Sequence, residues 1–124
     1  MNVPFIQQWI AALRSDHYRQ IAFQLYTGED PDGKQRMCLM GVAHNLRGCR
    51  WVPAAFQHSY RPADWDCDMC AVTGLSAEML RSLINRNNQG ESFASLADYL
   101  ESLLPRDAIP ASVRAIFDVE TEAA

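Results

Sequence analysis

The sequence predicts an α+β domain: about four helices packed on a small antiparallel sheet built from a hairpin near residues 20–39. Three observations predict it. Apolar residues recur at three-four spacing near both ends of the chain, as a helix with one buried face requires. Residues 20–39 carry strand formers around a dense turn signal. The length of 124 residues suits one domain with a core of its own.

The elements follow in order. Residues 2–15 predict a helix. Asn2 is a suitable N-cap and Pro4 is tolerated in the first turn. Phe5, Trp9, Ala12 and Leu13 form one stripe, widened by Ile6 and Ile10. Gln20–Tyr26 and Gln35–Leu39 predict the two hairpin arms. Pro31-Asp32-Gly33 marks the turn, with Gly33 supplying positive φ. Cys38–Arg47 predicts a short buried helix that ends near Gly48. Residues 49–74 are the least regular part and the expected place for a site. Ser76 caps a helix whose face is Met79, Leu80, Leu83 and Ile84. Asn85-Arg86-Asn87-Asn88-Gln89-Gly90 predicts a polar connector. Ser92 caps the next helix, whose face is Phe93, Leu96, Ala97, Leu100 and Leu104, and Pro105 stops it. One more turn is expected around Val113, Ile116 and Phe117. The domain is expected to span 1–117, with 118–124 a frayed acidic tail. The expected core includes Trp9, Leu13, Phe23, Leu39, Leu80, Leu83, Phe93, Leu96 and Leu100.

The formal net charge is −4, but it is unevenly spread. Residues 1–61 hold seven Lys/Arg against four Asp/Glu; residues 62–124 hold four against eleven. An acidic chain is a poor duplex binder, because affinity for phosphates needs clustered cations. Direct nucleic-acid binding is therefore not expected. No long apolar run predicts a membrane span, and no secretory signal is evident, so a cytoplasmic location is expected.

Four cysteines are present: Cys38, Cys49, Cys67 and Cys70. Free thiols are the first expectation. Cys67-x-x-Cys70 has the spacing of one zinc knuckle, and Cys49 and His58 are the available complements. Zinc is thus the one cofactor the sequence admits, without the second paired knuckle of a strong signal. Cys38 and His44 form a poor nucleophile pair, since six residues on a helix separate them by about 240°. Asp64, Asp66 and Asp68 alternate in an acidic loop without the glycine and distal glutamate of a calcium loop.

Trp51, Phe56, Tyr60 and Trp65 cluster in the irregular region among Arg47, Arg50 and Arg61. Aromatic side chains with arginine are the material of interface hot spots. The expected protein interface is Trp51, Tyr60, Arg61 and Trp65 with Asp64, Asp66 and Asp68. A small satellite core is the structural alternative. No Gly-rich phosphate loop, Gly-x-Ser-x-Gly elbow or His-Glu-x-x-His helix occurs, so the common enzyme classes are disfavoured.

Trp9-x-x-Ala12-Leu13-Arg14-Ser15-x-x-Tyr18-x-Gln20, then Cys38-Leu39-x-Gly41-Val42-Ala43, then Gly74-Leu75-Ser76 and Ser92-Phe93-Ala94-x-Leu96-Ala97-Asp98-Tyr99-Leu100-Glu101 follow one another along the chain. This order of motifs resembles a family of small bacteriophage and prophage proteins. The resemblance brings no catalytic residue with it. It implies a phage product in a bacterial cytoplasm, of the kind that binds and inhibits host proteins, including CRISPR and other defence systems. The expected function is thus a non-enzymatic accessory protein whose partner is a host protein. The alternatives are a zinc-stabilised interaction module on Cys67 and Cys70, and a small enzyme of unfamiliar type. Assembly as a homo-oligomer is left open.

Overall fold

The structure is a computed structural model and describes residues 1–55 and 58–105. The expected turn at Val113, Ile116 and Phe117, the acidic tail, and Phe56 lie outside the described residues. The described residues form an α+β fold of five helices and a five-stranded mixed sheet.

Helix α1 is Val3–Arg14. Asn2 caps it, its Oδ1 accepting from the Phe5 N–H at 3.3 Å, while its Nδ2 donates to the Val72 carbonyl at 3.0 Å. The helix buries Ile6, Trp9, Ile10 and Leu13, the face its spacing predicts.

Three strands follow: β1 Tyr18–Gln20, β2 Tyr26–Glu29 and β3 Gln35–Met37. The predicted turn closes β2 onto β3. Asp30 Oδ1 accepts from the N–H groups of Asp32 at 3.0 Å and Lys34 at 2.9 Å. This is the local bonding that favours aspartate in turns. The first predicted arm is corrected. Only its ends are strand, and residues 21–25 leave the ladder. The reason lies in distant side chains. Ile21 gives its carbonyl to Asn87 Nδ2 at 2.9 Å, and Phe23 gives its N–H to Asn88 Oδ1 at 2.8 Å. Backbone groups that would pair in a strand are thus drawn to a helix. The break lets β1 turn and pair parallel with β3, Tyr18 opposite Gln35. The sheet is therefore mixed where an antiparallel one is predicted.

Helix α2, Leu39–Leu46, follows at once and buries Leu39 through His44. The expected irregular stretch holds three short elements: β4 Trp51–Pro53, β5 Tyr60–Pro62 and α3 Met69–Thr73. Strands β4 and β5 pair antiparallel and extend the sheet to the order β1-β3-β2-β5-β4. Each is three residues long, too short for alternation to be read against its prolines.

Helix α4 is Ala77–Asn88 and α5 is Phe93–Leu103, capped by Ser76 and Ser92 as predicted. The predicted connector at 85–90 is corrected: α4 continues through Asn88. Its last turn is polar because Asn87, 2% exposed, is turned inward as a hydrogen-bonding post. Asn87 Oδ1 accepts from Gln20 Nε2 at 3.0 Å and from the Leu39 N–H at 3.2 Å. One side chain thereby joins β1, α2 and α4.

The core gathers between the helices and one sheet face. Trp9 is fully buried and its Nε1 donates to the Leu39 carbonyl at 3.0 Å. Leu13, Leu39, Leu80, Leu83, Phe93, Leu96 and Leu100 are buried with it, as predicted. Phe23 is the exception and is corrected: it is 81% exposed at φ +69°. Positive φ places the Cβ of an L-residue against its own carbonyl, at a cost of roughly 1–2 kcal/mol. Among the described residues no helix is long and apolar enough to cross a membrane.

Candidate functional site

The residues expected to form an interface divide into a buried base and an exposed tip. The base starts in α2, where His44 and Asn45 end the helix beside the sheet. Trp51 packs edge-on against His44, with ring centroids 6.4 Å apart. Its Nε1 donates to Asn45 Oδ1 at 3.2 Å, and Asn45 Nδ2 donates to the Tyr18 hydroxyl at 3.1 Å. Tyr26 lies between Trp51 and Tyr60, 5.2 Å from one ring and 5.0 Å from the other. Cross-strand partners share a sheet face, so Trp51, Tyr60 and Pro62 stand together, while Arg61 shares the opposite face with Val52. Trp51 and Tyr60 are half-buried. Sequence reading missed Tyr26, because only the β2–β5 pairing brings it there.

Arg47 carries the base out to the tip. Its Nε donates to His44 Nδ1 at 2.9 Å. Its two terminal nitrogens donate to both Asp64 oxygens, each at 2.9 Å. Bidentate pairing of this kind fixes orientation as well as distance. The Arg47 hydrogen bonds hold the Asp64 carboxyl below the usual carboxylate range. The turn closes with the Cys67 N–H donating to the Asp64 carbonyl at 2.8 Å. At its tip Trp65 is 69% exposed, followed by exposed Asp66. Asp68 caps α3, its Oδ1 accepting from the Cys70 N–H at 3.0 Å. Of the three alternating carboxylates, Asp64 and Asp68 are therefore engaged in shaping the loop.

Cys67 precedes that cap and Cys70 lies in the first turn of α3; both thiols are free and half-buried. Among the described residues no three His, Cys, Asp or Glu side chains are grouped to hold a metal ion. Burial pushes the Cys49 thiol up, with the Arg47 charge opposing. Cys38 is buried at the N-cap of α2, and burial pushes its thiol up, away from nucleophilic thiolate. His44 faces Trp51 and Arg47 instead, so the Cys38–His44 pair does not assemble as a nucleophile and base.

His44 gives the base a pH signature. Burial, then the Arg47 charge, pushes its pKa down to about 4, with Asp64 opposing. The native imidazole stays neutral where the unfolded chain takes up a proton below about pH 6.5. Stability is therefore complete above pH 6.5 and falls as pH drops towards 4. Urea unfolding at pH 7 and pH 5 should differ by about 1–2 kcal/mol. His44→Gln, which keeps an acceptor for Arg47 but cannot titrate, should flatten most of that difference. An unchanged slope in the variant would show that other groups set it.

No protein-family model, curated protein or solved structure matches the chain.

Proposed function

We propose that the protein is a non-enzymatic accessory protein that binds another protein through the Trp65 turn. One observation carries this reading: an indole 69% exposed on a turn that is pinned from beneath. A large aromatic left in water is unfavourable, and a rigid one is a low-entropy anchor for a partner's pocket. The Arg47–Asp64 bridge supplies the rigidity. Asp66 beside it and Asp68 beyond favour a partner with a basic rim around an apolar pocket. Trp51 and Tyr60 support the turn from the half-buried base, and Arg61 lies on the far sheet face. The resemblance of the motif order to phage and prophage proteins is the ground for a bacterial host protein as the partner, and for inhibition of a defence system as the role.

The test is capture of partners from bacterial lysate by the tagged chain, run beside Trp65→Ala and Asp66→Lys. The native chain should retain one host protein in stoichiometric amount. Trp65→Ala should cut its retention by about thirtyfold or more, the loss typical of a central aromatic anchor. The charge-reversed variant should slow association and change its salt dependence. Equal retention by all three proteins would remove the Trp65 turn as the contact.

A further inference from the structure

The sheet has two faces, and the core takes one of them. Met37 belongs to that core, and Tyr18, Tyr26 and Trp51 pack against it. Side chains alternate along a strand, so the residues next to these point the other way. Arg36 precedes Met37 and is the cross-strand partner of Arg19. Arg61 follows Tyr60, the partner of Tyr26, and pairs with Val52. The ladder runs one step further, the Ala63 N–H donating to the Arg50 carbonyl at 2.7 Å, which sets Arg50 on the face of Val52. The second face is thus built of Arg19, Arg36, Thr27, Arg61, Val52 and Arg50. Arginine predominates there and no carboxylate stands among them. Val52, its one aliphatic side chain, is not among the residues packed on the core.

The charge on this face is not balanced from within. Arg19 and Arg36 stand directly opposite each other, an unfavourable like-charge pair in a sheet. Asp30 and Asp32 in the turn relieve Arg19. Among the described residues Arg36, Arg50 and Arg61 enter no ion pair. Arg50 and Arg61 are exposed. Arg36 is half-buried, its Nη2 donating to the Glu29 carbonyl at 3.2 Å, so its guanidinium is held against β2.

We propose that this open sheet face docks an acidic segment of another protein, whose carboxylates pair with Arg36, Arg50 and Arg61. Charge complementarity selects an anionic occupant. The guanidinium fork matches a carboxylate with two parallel hydrogen bonds. Two observations favour protein over nucleic acid. Tyr18, Tyr26, Trp51 and Tyr60 all stand on the core face, so the strands offer bases no ring to stack on. Residues 62–124 hold eleven Asp/Glu against four Lys/Arg, which would repel a polyphosphate running beyond the face. This surface goes beyond the Trp65 contact, which asks for a basic rim instead.

The experiment is fluorescence anisotropy of a labelled polyglutamate peptide, and of an oligothymidylate strand of equal length, titrated with the full chain at low salt. The native chain is run beside Arg50→Glu, Arg61→Glu, Arg61→Lys and Arg81→Glu, Arg81 being an exposed position of α4. The native chain should bind the peptide more tightly than the strand. Arg50→Glu and Arg61→Glu should each weaken peptide binding about tenfold or more while melting near the native temperature. Arg61→Lys should weaken it about threefold, because the charge stays and the fork goes. Arg81→Glu makes the same charge change elsewhere and should alter binding by less than about twofold. No peptide binding by the native chain overturns the proposal. An equal loss in Arg81→Glu also overturns it, since net charge alone would then be responsible. Tighter binding of the oligothymidylate, lost in the same variants, overturns it in favour of nucleic acid. Sedimentation covers the remaining occupant: a native dimer dispersed by Arg61→Glu would give the face to the acidic half of a second copy and overturn the proposal. Trp65→Ala should bind the peptide as the native chain does, so this proposal and the Trp65 reading fail separately.

Discussion

Gly41→Ala is expected to destabilise the protein by about 3–5 kcal/mol, although local propensity argues the other way. Gly41 is the third residue of α2, and alanine there would gain roughly 1 kcal/mol of helix propensity. Tertiary contact reverses the sign. A Cβ on Gly41 would lie 1.9 Å from the Leu25 carbonyl oxygen and 2.9 Å from its carbonyl carbon. Met37 Cβ would stand 3.2 Å away. The obstacle is backbone, so no side-chain rotation relieves it. Moving Leu25 would break its bond from the Cys38 N–H. Urea unfolding measures the loss directly. A change below about 1 kcal/mol would mean that residues 21–25 retreat freely, against the anchoring seen at Ile21 and Phe23.

Asn87→Leu is the second large effect, at about 3–5 kcal/mol. The substitution nearly preserves volume, so packing alone predicts little change. The hydrogen bonds decide otherwise. Leucine would orphan the buried Leu39 N–H and the Ile21 carbonyl. It would also leave Gln20 Nε2 with the Glu91 carbonyl as its remaining acceptor. Each buried group left unpaired costs about 1–3 kcal/mol. Asn87→Asp should be nearly as damaging, because a carboxylate keeps the acceptor but cannot donate to Ile21 and brings a charge into the interior. Far-UV circular dichroism with urea checks both. Near-native stability for Asn87→Leu would show that these backbone groups find water when the amide is gone.

These two residues show where sequence reading succeeds and where it stops. Helices α1, α4 and α5 are legible because each apolar stripe is set within four residues and each start is set by one capping side chain. Asn2, Ser76 and Ser92 all make the cap bond their positions predict. The turn at 30–34 is legible for the same reason: Asp30 bonds its own neighbours. Asn87 reads as connector because a polar run looks the same whether it faces water or buried carbonyls. Its partners lie 48 to 67 residues away. Phe23 reads as core for the converse reason. Hydrophobicity favours burial in general but does not place a particular backbone at positive φ. At the candidate site, Trp65 and its acidic neighbours are legible as composition. The Arg47–Asp64 bridge and the place of Tyr26 require the pairing of strands far apart in the chain.

By itself, then, the sequence determined the α+β class, most of each helical face (Ile84, read on the buried face of α4, is exposed), the caps, the tight turn and most of the core, since each follows from interactions spanning a few residues. Only the tertiary structure decided the parallel pairing of β1 with β3, the sheet order, the inward turn of Asn87, the need for glycine at 41 and the outward turn of Phe23. Each of these is settled by backbone groups meeting across the fold, where hydrogen-bond satisfaction and close approach outweigh the local preferences that a sequence displays.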